Sequence, residues 1–153
     1  MNRLTMVVLS LLFLSPFGSA WAGPVEEVLQ IATPRGQAFQ DGDVEAYTAA
    51  FADNAAFHSS FSPFRIEGKQ AIKTYFMELM QMFPRRHLLI RQAVARAYND
   101  DLMVQNGYAV LNTVNERGEP KTLDTRYSLT WAKIGGRWQI VDQHVSRLPS
   151  MMP

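Results

Sequence analysis

The chain has 153 residues, 47% of them apolar, with 15 basic against 14 acidic side chains and a net charge of +1. That length and composition suit one folded domain and exclude a disordered chain. The lack of cysteine excludes disulfides, thiolate chemistry and a lipid-modified cysteine, and three scattered histidines (His58, His87, His144) predict no metal site.

Asn2 and Arg3 form a short positive start, Met6 to Leu14 is an apolar run, and Ala20-Trp21-Ala22 is a small-x-small triplet. Together they predict a signal peptide over residues 1–22 and a secreted or periplasmic product. The run is about half of the ~20 residues that span a bilayer, so no membrane association is expected after cleavage. Without Arg3 the basic and acidic residues are equal in number, which argues against nucleic acid as a partner. One domain over 23–149 and a short tail over 150–153 remain.

Val25, Val28, Leu29 and Ala32 recur at helical spacing, and Pro34 with Gly36 is expected to interrupt that helix. Ala38 and Phe39 resume the pattern until Asp41-Gly42. Asp43 then caps a second helix predicted to run through Phe51. A short strand is expected from Ala55 to Ser60. Gly68 precedes a third helix whose apolar face is Ile72, Tyr75, Phe76, Leu79 and Met80, closed by Phe83-Pro84.

Four strands follow, at His87–Tyr98, Leu102–Thr113, Lys121–Lys133 and Arg137–Arg147. Asn99-Asp100-Asp101, Asn115 to Pro120 and Ile134-Gly135-Gly136 supply the turns between them. Helices first and an antiparallel run after them predict an α+β fold, with a curved antiparallel sheet packed on about three helices around a pocket. Alternation puts Tyr127, Leu129, Trp131, Val141, Gln143 and Val145 toward the helices. Arg126, Ser128, Thr130, Asp142, His144 and Ser146 fall on the outer face. Few of these are long and flexible, which suits pairing with a second copy as a homodimer.

Four stretches carry a resemblance. They are GDVEAYT at 42–48, IEGKQAIKTYF at 66–76, ERGEPKT at 116–122 and WAKIGGRWQIVDQHVSRLP at 131–149. In this order they resemble the nuclear transport factor 2-like, or SnoaL-like, superfamily. Within it they are closest to bacterial relatives of the calcium/calmodulin-dependent kinase II association domain, or hub. The resemblance covers roughly residues 35–149 and implies a cone-shaped fold that forms dimers through the outer sheet face. The hub's pocket arginines fall on Ala109, Leu129 and Val145, so an apolar cone without a strongly acidic ligand is expected, with Arg147 as a partial substitute at the rim. In the superfamily's steroid isomerases the general-base position falls on Ser59 and the oxyanion-holding tyrosine on Arg35, so their chemistry is not expected here.

The expected ligand-binding set is Phe57, Tyr75, Ala109, Leu129, Trp131, Val145 and Arg147. His58, Tyr75 and Asp124 are the catalytic candidates. His58 reads either as a replacement base or, one step out of phase with Ser59, as an outer-face residue. Tyr75 could be oriented by Glu78, whereas Tyr47 reads as core packing. Asp142, His144 and Arg126 read as an acid–base set or as an outer-face polar network. Met77, Met80 and Met82 read as soft pocket lining or core, and Arg85-Arg86 as a solvated basic step. Three functions stay open: a binder of a small, largely apolar molecule, a small cofactor-free enzyme (isomerase, cyclase, dehydratase or hydrolase), and an oligomeric scaffold. No cofactor is expected.

Overall fold

The structure, a computed structural model, describes residues 23–149. The expected signal peptide and the four-residue tail lie outside these residues. Helix α1 spans Pro24–Asp41 and α2 spans Val44–Thr48. Strand β1 (Phe51–His58) and the two-residue β2 (Ile66–Glu67) precede α3 (Lys69–Met82). Strands β3 (Arg85–Asn99), β4 (Leu102–Val114), β5 (Pro120–Ile134) and β6 (Arg137–Arg147) complete one curved sheet in the order β2-β1-β6-β5-β4-β3. All neighbours are antiparallel except β1 and β6. No helix among the described residues is long and apolar enough to cross a membrane.

Three local expectations are corrected. Helix α1 runs through Pro34 without a break. A proline inside a helix forfeits one backbone bond, but the turns on both sides are held by the buried side chains of Val28, Ala38 and Phe39. Gly42 ends the helix in the left-handed conformation (φ 83°) with its N–H on the Ala38 carbonyl. Helix α2 stops at Thr48, and Phe51 opens β1 rather than closing the helix. Phe51 pairs with Ile140 of β6, and the Ile140 N–H donates to the Ala50 carbonyl at 2.7 Å. The alternation on β6 also breaks. The register shifts between Thr130 and Trp131, so Trp131 faces Ile140 while Leu129 faces Gln143. Ile140 therefore takes the core position expected for Val141, and a β-bulge of this kind adds one residue to one strand only.

Side-chain size along the inner sheet face decides where the core ends. Met103, Trp131 and Ile140 sit side by side on β4, β5 and β6, all at most 1% exposed. With Phe51, Ile72 and Val28 they fill the space between sheet and helices. The next row is Gln105–Leu129–Gln143, then Gly107–Tyr127–Val145, then Ala109–Thr125. These rows carry smaller or polar groups. The space between sheet and helices is no longer filled there.

Two clasps hold the helices over this gap. The Glu27 carboxylate of α1 accepts from Trp138 Nε1 at 2.7 Å and pairs with Lys133 Nζ at 2.7 Å. Those bonds, Lys133 foremost, hold its pKa below the usual carboxylate range. Arg86 is not a free solvated step. Its Nε donates to the Phe39 carbonyl at 2.6 Å and its Nη1 to the Phe83 carbonyl at 3.0 Å, which ties the ends of α1 and α3 to β3.

Candidate functional site

The unfilled rows enclose a cavity of about 650 Å³ between α1, α3 and the sheet. Helix α1 contributes Leu29, Ala32, Arg35 and Gly36 to its wall, and α3 contributes Tyr75, Phe76 and Leu79. Phe57 enters from β1, and Ser59, Ser60 and Phe61 from the loop after it. The sheet floor is Gln105, Ala109, Thr125, Tyr127, Leu129, Gln143 and Val145. Glycine at position 107 is required by close approach: a Cβ there would lie 1.9 Å from the Gln92 carbonyl oxygen of β3.

Among the residues singled out in the sequence, Phe57, Tyr75, Ala109, Leu129 and Val145 meet in this wall. Trp131 does not. It is 0% exposed in the filled row beneath, and its indole N–H has no partner. Arg147 lies outside the wall too, with its guanidinium carbon 5.4 Å from the Phe61 ring centroid. His58 and Asp124 do not reach the cavity. His58 pairs in register with His144, their rings 5.6 Å apart, and Asp124 is exposed on β5. The strand parity that sends Phe57 inward turns His58 away. Arg126 donates from Nε to Ser146 Oγ at 3.0 Å. It lines a second, polar groove with Ser128, His144 and Tyr108 on the outer face.

Tyr75 presents its hydroxyl to Ser59 Oγ, not to Glu78, which is exposed. Ser59 Oγ also accepts the Phe61 N–H at 3.0 Å. Burial raises the Tyr75 pKa above its ordinary value, the Ser59 bond opposing it, so the phenol stays neutral at physiological pH. Ser59 and Tyr75 thus form a hydroxyl pair in an otherwise aromatic corner, with the Phe57 and Phe76 rings each 5.3 Å from the Tyr75 ring.

Sequence reasoning gave Arg35 no role beyond occupying the isomerases' oxyanion-tyrosine position. Its Nε donates to the Tyr47 carbonyl at 3.1 Å and its Nη2 to Gln143 Oε1 at 2.8 Å. The guanidinium carbon sits 4.0 Å over the Tyr47 ring, a cation–π distance. Burial lowers its pKa, yet an arginine stays protonated throughout the working range. The expectation of an apolar cone is therefore corrected in one respect: the hub's arginine positions on the late strands are apolar, but a charge arrives from α1. A signal was present. Val28, Ala32, Arg35 and Phe39 follow the 4-3-4 spacing of one helix face, so Arg35 occupies a place in the inward stripe.

A curved α+β sheet with helices across one face and a cavity between them is the nuclear transport factor 2-like cone. The model of the calcium/calmodulin-dependent protein kinase II association domain matches residues 25–149, and the chain belongs to that family. A solved Xanthomonas campestris protein assigned as such an association domain superposes with a TM-score of 0.73 at 20% identity, covering 85% of this chain and 94% of that one. A nuclear transport factor 2-like protein of unknown function from Pseudomonas putida gives 0.70 at 21% identity, over 82% and 87% of the two chains. A protein from Novosphingobium aromaticivorans assigned as a scytalone dehydratase gives 0.73 at 11% identity, over 82% and 84%. No curated protein matches the chain.

Proposed function

We propose that this is a secreted or periplasmic domain that binds a small, largely apolar molecule in its cone. One observation carries the reading. The cavity wall is mainly aliphatic and aromatic, and among the described residues it holds no carboxylate, imidazole or lysine. Proton-transfer chemistry needs a base within hydrogen-bond reach of the substrate. The candidates His58 and Asp124 lie elsewhere, and the Tyr75 phenol is pushed away from ionisation. A volume of about 650 Å³ with a few polar groups is instead the usual form of a small-molecule site. Titration with the neutral dye N-phenyl-1-naphthylamine tests this, with one bound molecule per chain and enhanced fluorescence as the expected result. No saturable binding would refute it.

Membership of an association-domain family supports self-assembly. The proposed contact is the outer sheet face, where Arg126, Ser128, His144 and Ser146 line a groove beside the exposed Tyr108. A homodimer places that patch against its own copy across a two-fold axis. Light scattering should return twice the chain mass at pH 7.5, and Tyr108→Lys should shift the mass toward the monomer. A monomeric wild type at high concentration would remove this contact.

A further inference from the structure

We propose that the ligand of the cone carries one compact oxyanion, a carboxylate or its like, seated on Arg35. The inference rests on the cone being a ligand site, and it names the chemistry that site selects. Arg35 lies mid-helix on the inward stripe of α1, half-buried in the cavity wall, where a ligand that fills the cavity would withdraw its charge from water. Such a charge is costly to bury without a counter-charge. No acidic side chain among the described residues supplies one. Glu27 is engaged by Lys133 and Trp138, Glu45 by Lys73, and Asp41 accepts from Gln37 Nε2 at 2.8 Å.

The guanidinium is also fixed in direction. Tyr47 holds it by its ring and its carbonyl, and Gln143 holds Nη2. Two of its five N–H groups are used by these bonds, so the remainder of the fork is free for a ligand. A planar, oriented fork of this kind matches a carboxylate and loses little entropy on binding it. The Tyr75, Ser59 and Thr125 hydroxyls and the Gln105 and Gln143 amides are among the neutral polar groups of an otherwise aromatic and aliphatic wall. The selected molecule is thus an apolar body with a single anionic end. A polyanion would leave further charges against Leu129, Phe57 and Leu79, and a neutral molecule would leave Arg35 uncompensated.

Two dyes share one skeleton and differ by an anion: 8-anilinonaphthalene-1-sulfonate and N-phenyl-1-naphthylamine. Both are titrated into wild type and Arg35→Gln, with circular dichroism and thermal unfolding to establish that the variant is folded. Arg35→Gln should weaken the sulfonate dye about 10-fold to 100-fold, the range of a hydrogen bond to a charged group. It should change the neutral dye by less than about threefold. The wild type alone gives a second measurement that does not depend on the variant's folding: decanoate should displace the neutral dye at lower concentration than 1-decanol. Equal losses for both dyes in a folded Arg35→Gln, or a decanol that competes as well as decanoate, would overturn the anion assignment and leave the cone as a site for neutral molecules. Failure of both dyes to bind wild type would overturn the cone as a ligand site, and this assignment with it.

Discussion

Trp131→Ala should lower the unfolding free energy by about 3–5 kcal/mol, the cost of removing a fully buried large aromatic. The indole lies between Met103 and Ile140 in a fully buried row of the inner sheet face. Its N–H has no partner, so packing is all that the substitution removes. The neighbours come from three strands and cannot collapse into the void without moving the sheet. Urea unfolding checks this, and the melting temperature should fall by roughly 10–25 °C. A loss below about 1 kcal/mol would mean that the filled row is loose and that the cavity continues beneath it.

Leu129→Arg should cost a similar amount for a different reason. Leu129 is 6% exposed and stands between Gln105 and Gln143 in the first row of the cavity floor. Gln143 already accepts from Arg35. A second guanidinium would find that acceptor taken and a like charge in the same wall. An uncompensated buried charge costs about 3–5 kcal/mol, and affinity for N-phenyl-1-naphthylamine should fall with it. Saturating decanoate should restore part of the lost stability, because an anion compensates both arginines. Unchanged unfolding and dye affinity would show that position 129 is neither buried nor part of the floor.

The sheet was legible because its signals are local. Turn residues at Asn99-Asp100-Asp101 and Gly135-Gly136 separate strands whose alternation gives the face of Tyr127, Leu129 and Trp131, and the four late strands lie within two residues of their expected ends. The bulge at Val141 was not legible, since Ile140 and Val141 are both apolar and either parity reads well. The continuity of α1 through Pro34 was hidden for another reason: tertiary packing outweighs the local preference of one residue. The cavity boundary depends on which side chains share a row across three strands. Trp131 and Leu129 have the same parity, yet one closes the core and the other floors the cavity. Arg35 was named only at the position of the isomerases' oxyanion-holding tyrosine and given no role of its own, although its place in the 28-32-35-39 stripe turns it inward.

The central claim is that the space above Leu129 is a ligand site. Ala109 offers the most direct test. It is 4% exposed, its carbonyl accepts from Thr125 Oγ1 at 2.9 Å, and its methyl group faces the empty space. Ala109→Phe projects a ring into the cavity rather than into packed core. The measurement is titration of N-phenyl-1-naphthylamine into wild type and Ala109→Phe, with thermal unfolding to establish that both are folded. The account predicts one saturable site in wild type and at least about a tenfold loss, 1.4 kcal/mol, in the filled variant. Undiminished binding by a folded Ala109→Phe would contradict it.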